Sequence, residues 1–290
     1  DRMNAGMING TRSLRQPGSA LKPFLYAYVL DKGNSPADVI ADVPTSLPVP
    51  GGQYMPENFD RKYHGPVSIR EALACSYNIP AVKWLARYSV EEYRQLLNRA
   101  GLTSIRRDGR YYGVSLALGS AEVRLSDLAA AYTVFVNDGM YVPMSFLVSV
   151  NTSSGQRPLP PQQRRRVVSP EAAAMIVHIL TDRNARLNAF PDPRALIFPF
   201  DIAVKTGTSK NFRDAWAVGC THEYIVGIWI GDFRGGSMEH ISGGGGALPV
   251  LYDAFLALNK RSAPTAFTLP NTIERIPVCS LSGRATNSFC

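Results

Sequence analysis

The sequence predicts an α+β fold, in which an antiparallel sheet is flanked by helices and accompanied by a mostly helical subdomain. Apolar residues recur at helical spacing along much of the chain, whereas three short β-rich segments follow one another at 200–205, 214–221 and 224–232. Four glycines then precede another helical pattern at 247–259. Because strands joined by short turns pair antiparallel and must bury a face, we expect helices packed on this sheet.

The helical segments are placed by their capping residues. Ser68 stands at an N-cap position with a glutamate at the capping-box position, and Ser169 stands before another apolar helix. A polar break at 75–78 interrupts an otherwise good helix. Segments 34–60 and 152–163 show no period, so we expect loops there. The predicted helices are 19–30, 68–74, 80–86, 89–100, 125–136 and 170–180.

The length and composition limit the classes of protein to which this chain can belong. The chain has 290 residues, 45% hydrophobic and 19% charged, which allows a sizeable core and argues against global disorder. No apolar run approaches the roughly 18 residues that span a bilayer, so we expect the chain as given to be soluble. It begins at Asp1 with no initiator methionine or signal peptide, which indicates a piece of a longer protein.

The net charge of +8 and the isoelectric point near 9.4 raise the question of a polyanionic partner. The basic residues are dispersed, and the one dense run, at 164–166, has no interleaved aromatic residues. We therefore predict no nucleic-acid binding, and we attribute the charge to attraction by an anionic cell envelope.

The cysteines and histidines argue against a metal site. The four cysteines show no CxxC spacing and the four histidines lie far apart, so we expect neither zinc nor any other cofactor. Cys279 and Cys290 bracket a short polar loop, which would suit a disulfide in an oxidising compartment.

Ser19 and Lys22 form a Ser-x-x-Lys motif at the start of the first predicted helix. One turn apart, they share a face, so Lys22 can reach the serine hydroxyl and take its proton. Lysine is such a base only if its pKa falls from about 10.4 towards 7, which burial and a second cation, Lys205, would achieve. The alternative is that Ser19 is a plain N-cap and Lys22 a solvated helix residue.

Ser76 and Asn78 form a Ser-x-Asn motif in the polar break of the second predicted helix. In the functional interpretation, Ser76 relays a proton between Lys22 and a leaving group, and Asn78 hydrogen-bonds a substrate amide carbonyl. The alternative is that both side chains cap the interrupted helix. A second Ser-x-Asn, at 149–151, ends an alternating apolar stretch and is interpreted as a strand end.

The rarest of the three motifs follows an apolar strand and reads Lys205-Thr206-Gly207-Thr208. A glycine here allows close approach of a ligand, and a strand edge can pair with an extended peptide. The N–H groups of Thr208 and Ser19 would then form an oxyanion hole, while Lys205 and the two threonine hydroxyls would bind a carboxylate. The alternative is a polar turn between strands.

Together these motifs resemble the active-site set of the penicillin-recognising serine transferases and hydrolases. The segment that resembles the nucleophile segment of class A, bifunctional penicillin-binding proteins is Arg15-Gln16-Pro17-Gly18-Ser19-Ala20-Leu21-Lys22-Pro23-Phe24. Two short segments are typical of that class, Leu116-Ala117-Leu118-Gly119 and Arg213-Asp214-Ala215-Trp216. Three further segments more closely resemble the penicillin-binding protein 1C subgroup, namely Asn58-Phe59-Asp60, Gly65-Pro66-Val67-Ser68 and Val278-Cys279-Ser280-Leu281-Ser282-Gly283.

The resemblance implies a peptidoglycan DD-transpeptidase with a fold like that of serine β-lactamases. Ser19 would attack the penultimate D-Ala carbonyl of a stem peptide and expel terminal D-Ala, and the amine of a neighbouring stem would resolve the acyl-enzyme. β-Lactams would acylate the same serine. The implied catalytic residues are Ser19, Lys22 and Ser76, and the implied substrate-binding residues are Asn78, Lys205, Thr206, Gly207 and Thr208.

The resemblance also implies a context. Residues 1–262 would form the transpeptidase domain, and 263–290 a linker and the start of a small C-terminal domain. Because only a short segment precedes Ser19, we expect the family's N-terminal sheet strands, its glycan-polymerising domain and its membrane anchor to be missing. Partners would be peptidoglycan stem peptides, β-lactams and other cell-wall synthesis proteins, on the periplasmic side of the bacterial inner membrane.

Other classes stay open. A DD-carboxypeptidase or β-lactamase on the same fold needs a group that activates a deacylating water, yet the polar face of an amphipathic helix explains Glu91 and Glu92. A β-lactam sensor would need a signalling segment, and none is visible in the sequence. A truncated, inactive fragment is the third alternative.

Overall fold

The computed structural model describes residues 6–49, 52–153, 155–157, 159, 161–187, 197–238 and 241–286. Its α-helices are α1 (Lys22–Asp31), α2 (Ile69–Ala74), α3 (Asn78–Ala86), α4 (Val90–Arg99), α5 (Gly109–Tyr112), α6 (Leu125–Ala131), α7 (Thr133–Val136), α8 (Pro170–Thr181) and α9 (Leu248–Leu258). Its strands are β1 (Val39–Asp42), β2 (Leu47–Val49), β3 (Gly52–Tyr54), β4 (Gly65–Ser68), β5 (Met140–Tyr141), β6 (Val150–Thr152), β7 (Gly155–Arg157), β8 (Arg165–Arg166), β9 (Ala203–Thr208), β10 (Asp214–Cys220) and β11 (Ile225–Gly231). The predicted α+β class is confirmed. Within these ranges no helix has both the length and the apolar character to cross a membrane.

A three-stranded antiparallel sheet, in the order β11–β10–β9, organises the structure. Helix α9 covers one face, where Val204 and Ala217 pack with Leu251 and Phe255. The other face, which includes Trp216, joins the larger core that contains α1 and α8. Because β10 is covered on both faces, it is buried along its whole length.

Helix α1 is the central helix of the larger core. Every residue from Lys22 to Leu30 is buried, so protein surrounds this helix on all sides. The predicted helix at 19–30 exists, but its first turn, Gly18–Leu21, is a 3-10 turn that we call the Ser19 turn. Ser19 therefore lies inside the turn, and the N-cap position belongs to Pro17.

Strand β9 lies further along the chain than the predicted strand at 200–205. Its pairing with β10 runs from Ala203, opposite Cys220, to Thr208, opposite Ala215. The last residues of β9 are polar, so the apolar pattern in the sequence ends before the strand does. The backbone of these polar residues still pairs with β10. The Lys-Thr-Gly-Thr motif therefore lies within a strand, which rules out the polar-turn alternative.

Several other boundaries differ from prediction. The expected loop at 34–60 contains β1, β2 and β3, of which β1 pairs with β4 and β2 with β3. Strands β6 and β7 form an exposed hairpin at the start of the expected loop at 152–163. Such short, mostly exposed strands produce no apolar period. The helix predicted at 125–136 is divided between α6 and α7, and the one predicted at 80–86 begins at Asn78.

Residues 263–286 contain no helix or named strand, but they contact the rest of the chain. Thr265 N–H donates to Glu223 Oε1 at 2.9 Å, and Thr272 Oγ1 donates to Glu171 Oε1 at 2.7 Å. The expected linker is thus held against the body of the protein at two points.

The cysteines differ in state. Cys75 and Cys220 are buried and form no disulfide, whereas Cys279 is disulfide-bonded. The predicted pairing of Cys279 with Cys290 falls on a residue outside the described ranges.

The Ser19 turn packs directly on β9 because glycines occupy the contact points. A Cβ at Gly207 would lie 2.2 Å from the Pro17 carbonyl oxygen, and a Cβ at Gly18 would lie 2.4 Å from the Thr208 carbonyl oxygen. Gly18 also has a φ of 54°, which favours glycine. The sequence predicts that Gly207 leaves space for a ligand. In the structure, the backbone of Pro17 and Ala20 occupies that space.

We expect Gly207→Ala to lower the free energy of unfolding by about 1–3 kcal/mol, because the added methyl group has no space beside the Pro17 carbonyl. Urea denaturation measures this change. Gly245→Ala is the matched control, since the nearest atom to its Cβ would be Ser242 Oγ at 3.8 Å. Equal effects of the two substitutions would contradict the close packing of the Ser19 turn on β9.

Candidate active site

Ser19 lies at the N-terminal end of the helical segment that leads into α1. Its side chain is half-buried, and neighbouring carbonyls are anchored from elsewhere. Tyr132 Oη donates to the Ala20 carbonyl at 2.7 Å, and Trp216 Nε1 donates to the Gln16 carbonyl at 2.9 Å. Because the first N–H groups of a helical segment have no partner inside it, the Ser19 N–H is an available donor beside its own hydroxyl, whereas the Ala20 N–H donates to the Pro17 carbonyl at 3.2 Å.

Strand β9 brings the Thr208 N–H to the same place. Ser209 N–H donates to the Asp214 carbonyl at 2.9 Å, and Thr208 stands opposite Ala215. Because ladder bonds alternate in an antiparallel pair, the Thr208 N–H and C=O point away from β10. β9 is at the end of the sheet, so these groups lie on its open edge, where Gly18 contacts the Thr208 carbonyl.

Lys22 is fully buried and extends to residues 75–77, the break between α2 and α3 that we call the Ser76 turn. Its Nζ donates to the Ser76 carbonyl at 2.5 Å and to Asn78 Oδ1 at 2.7 Å, and it lies 3.4 Å from Ser76 Oγ. Within the described residues Lys22 makes no hydrogen bond to the Ser19 hydroxyl. The Ser-x-x-Lys spacing favours a contact between Ser19 and Lys22, but the Lys22 amine instead contacts the Ser-x-Asn motif.

Lys205 reaches the same serine from β9. Its Nζ donates to Ser76 Oγ at 2.8 Å and to the Thr206 carbonyl at 2.9 Å. Ser76 has a φ of 62°, in the left-handed region that residues with a Cβ rarely adopt. This conformation presents the Ser76 carbonyl to Lys22 and its hydroxyl to Lys205.

The pKa values of both lysines are lowered. The pKa of Lys22 lies well below its ordinary value, first because burial removes the amine from water and second because of the charge on Lys205. The pKa of Lys205 is lowered to about 7, first by burial and then by the charge on Arg186. No carboxylate of the described residues forms an ion pair with either amine. A neutral amine is thus available as a base near neutral pH.

Asn78 begins α3, and both ends of its side-chain amide are engaged. Oδ1 accepts from Lys22, and Nδ2 donates to the Glu57 carbonyl at 2.7 Å. Buried Asn58 caps the helix from a distant loop: its Oδ1 accepts from the N–H groups of Asn78 and Ile79 at 2.8 and 3.2 Å. Sequence reasoning gave Asn58 no role, because a cap supplied from so far away leaves no local pattern.

Thr206 and Thr208 project from the opposite face of β9 to Lys205, because side chains alternate along a strand. Both threonines are half-buried. Thr208 Oγ1 accepts from the Gly243 N–H at 3.0 Å, whereas the Lys205 amine reaches the strand edge at the Thr206 carbonyl. A ligand that contacts Lys205 and both hydroxyls has to lie along the open edge of β9.

The two acids considered for a hydrolase are engaged elsewhere. Glu91 pairs with Arg94, which lowers the pKa of that carboxyl to about 2. Glu92 accepts from Lys32 Nζ at 2.7 Å and from Tyr28 Oη at 2.8 Å. These contacts agree with the interpretation that both acids belong to the polar face of α4.

The eight predicted site residues come together where the Ser19 turn, the Ser76 turn and the edge of β9 meet. Among the described positions, no group of three or more His, Cys, Asp or Glu side chains is arranged to hold a metal. One buried cation escaped sequence reasoning: Arg186 belongs to none of the motifs, yet its charge acts on Lys205.

Comparison with known proteins finds a family match over most of the chain. Residues 2–232 match the family described as the penicillin binding protein transpeptidase domain. Penicillin-binding protein 1C from Escherichia coli (strain K12) is 36% identical over 282 residues, which cover 97% of this chain and 34% of that protein. The chain therefore spans only about a third of the length of this relative.

Two solved structures show the same fold. Penicillin-binding protein 1A from Haemophilus influenzae matches with a TM-score of 0.83 at 23% identity, covering 98% of this chain and 48% of that one. The PonA1 protein from Mycobacterium tuberculosis, in complex with penicillin V, matches with a TM-score of 0.76 at 21% identity, covering 97% of this chain and 77% of that one. The chain belongs to the penicillin binding protein transpeptidase domain family.

Proposed function

We propose that this chain is the peptidoglycan DD-transpeptidase unit of a class A penicillin-binding protein, with Ser19 as its nucleophile. The observation that carries the proposal is the convergence of two buried lysine amines on Ser76, with the Ser19 turn packed on the strand that carries one of them. A serine hydroxyl becomes an effective nucleophile only when a base takes its proton. A neutral lysine amine in this position meets that need.

In acylation, Ser19 Oγ forms a bond to the penultimate D-Ala carbonyl carbon, and the bond from that carbon to the nitrogen of terminal D-Ala breaks. The Ser19 proton passes to Lys22, directly or through Ser76, and Ser76 delivers a proton to the leaving amine. The N–H groups of Ser19 and Thr208 stabilise the oxyanion. The amine of a neighbouring stem peptide then attacks the ester, which forms the cross-link and releases Ser19.

A substrate that ends in a free carboxylate fits the charges of this site. Lys205 and the hydroxyls of Thr206 and Thr208 would hold the carboxylate along the edge of β9, where an extended peptide can pair with the strand. Asn78 would donate to the substrate amide carbonyl with the second hydrogen of Nδ2, since the first is donated to the Glu57 carbonyl.

The substrate class and the place of action follow from the same reaction. Its partners would be peptidoglycan stem peptides and β-lactams, as penicillin V is for the PonA1 protein. The parent protein would act on the periplasmic side of the bacterial inner membrane, held by an N-terminal anchor, together with other cell-wall synthesis proteins. Residues 1–262 would form the transpeptidase domain, and 263–290 a linker that leads to a C-terminal domain.

Incubation with a fluorescent penicillin is expected to give one covalent adduct per chain, and Ser19→Ala is expected to give none. Intact-mass spectrometry measures both. Ser104→Ala, which removes a hydroxyl bonded to the Glu122 carbonyl, is the control and should be labelled like the wild type.

The fate of the adduct separates the alternatives. Slow loss supports a transpeptidase, whereas rapid hydrolysis would support the DD-carboxypeptidase or β-lactamase. A folded wild-type chain that forms no adduct would contradict the proposal and favour an inactive fragment.

The rate of acylation is expected to fall on acidification, because protonation of Lys22 removes the base. Burial, and secondarily the charge on Lys205, lower the pKa of Lys22 and so extend activity to lower pH. Lys205→Gln removes that charge, so the pKa of Lys22 should rise and the acidic limb of the pH–rate profile should move to higher pH. Stopped-flow acylation measures the profile, and an unmoved limb would argue against Lys22 as the base.

A further inference from the structure

A group of polar residues beside the Ser76 turn takes no part in the reaction described above. It comprises Asp42 at the end of β1 together with Asn58, Asp60 and His64 from the loop between β3 and β4, and we call it the Asp42 cluster. Asp42 is fully buried and Asn58 is 4% exposed. Because such residues are rarely buried without a specific partner, their burial points to a role.

A continuous chain of hydrogen bonds joins the Asp42 cluster to Lys22. Lys22 Nζ donates to Asn78 Oδ1 at 2.7 Å, and the Asn78 N–H donates to Asn58 Oδ1 at 2.8 Å. Asn58 Nδ2 in turn donates to Asp42 Oδ2 at 2.7 Å. The position of Asp42 therefore fixes Asn58, and Asn58 fixes the first turn of α3 that holds the Lys22 amine.

His64 is a hydrogen-bond partner of Asp42. Its Nδ1 lies 2.7 Å from Asp42 Oδ2 and its Nε2 lies 3.1 Å from Asp60 Oδ2. Carboxylate oxygens only accept, so a ring nitrogen that carries a proton donates to the carboxylate it faces, and the His64 backbone N–H also donates to Asp42 Oδ2 at 3.1 Å. Lys83 donates to the Ala41 carbonyl at 2.7 Å beside Asp42. Within the described residues Asp42 Oδ1 has no hydrogen-bond partner, which increases the dependence of this carboxylate on His64.

His64 also contacts the Ser76 turn directly. Its ring stacks on Tyr77 with 3.9 Å between ring centroids and 17° between planes. Tyr77 is buried and stands between Ser76 and Asn78 in the chain. Stacked rings attract each other, so His64 holds this turn through Tyr77 as well as through Asp42.

We propose that Asp42 and His64 are positioning residues for acylation. Their contact holds Tyr77 and Asn78, and through them the Ser76 oxygens and the Lys22 amine, in the arrangement that proton transfer from Ser19 needs. This inference rests on the proposed function, since it concerns the rate at which Ser19 is acylated. Removal of the His64 ring alone leaves the buried Asp42 carboxylate with fewer donors, whereas the added Asp42→Asn substitution replaces that carboxylate by a neutral amide that can still hydrogen-bond.

The test compares the wild-type chain with His64→Gln, Asp42→Asn and the double variant in stopped-flow acylation by a fluorescent penicillin. The acylation rate constant of His64→Gln is expected to fall about 10- to 100-fold, while the noncovalent affinity for the penicillin stays within about twofold. The double variant is expected to react faster than His64→Gln, because it contains no buried carboxylate that has lost a donor. His178→Gln is the matched control, since it removes another half-buried histidine, which contacts Arg70, and it should react like the wild type.

A merely structural role would reduce the folded fraction, which circular dichroism measures, and leave the rate constant of the folded protein unchanged. That result would overturn the proposal, as would an equal loss in His178→Gln or a loss in the double variant equal to the product of the single losses. If Asp42→Asn does not fold, the comparison of His64→Gln with His178→Gln decides. A wild-type chain that is not acylated at all is a distinct result, because it contradicts the proposed function and thereby removes the basis of this inference.

Discussion

Two buried lysines that share one serine are the constraint on which the site depends. Lys22 and Lys205 both lie in the core, and both donate to Ser76, one to its carbonyl and one to its hydroxyl. Two buried ammonium groups so placed, with no carboxylate of the described residues paired to either, repel each other and are poorly solvated, so deprotonation of one is favoured. An amine that is neutral near neutral pH is what a serine nucleophile requires. The same burial that costs folding free energy therefore lowers the pKa of the amine that the proposed mechanism uses as its base.

The rest of the fold maintains this burial. Protein surrounds helix α1 from Lys22 to Leu30, and this burial keeps the Lys22 amine out of bulk water. Gly18 and Gly207 let the Ser19 turn rest on β9 without a side chain between them. The left-handed conformation of Ser76 presents its two oxygens to the two amines. The Asp42 cluster contacts the start of α3, where Asn58, a residue outside the motifs, accepts the hydrogen bond of the Asn78 N–H.

The sequence predicts the three motifs and the α+β class, because short spacings and apolar periods are local properties. It does not predict Asn58 or His64, whose roles arise from contacts between segments that are distant in the chain. The start and end of β9 were misplaced because pairing with β10 continues through polar residues that periodicity ignores. Gly207 was assigned to a ligand for a related reason: the backbone that approaches it comes from the Ser19 turn, and no local pattern reveals that contact.

Titration of the lysine amines tests the central claim most directly. The chain would be labelled with ¹³C at the lysine Cε carbons and followed by NMR against pH, with Lys22→Ala and Lys205→Ala variants to assign the two resonances. The account predicts that Lys22 titrates well below the ordinary lysine value and that Lys205 titrates near pH 7. A Lys22 amine that titrates at the ordinary value of 10.5 would contradict it, because Lys22 would then carry a proton at neutral pH and could not take one from Ser19.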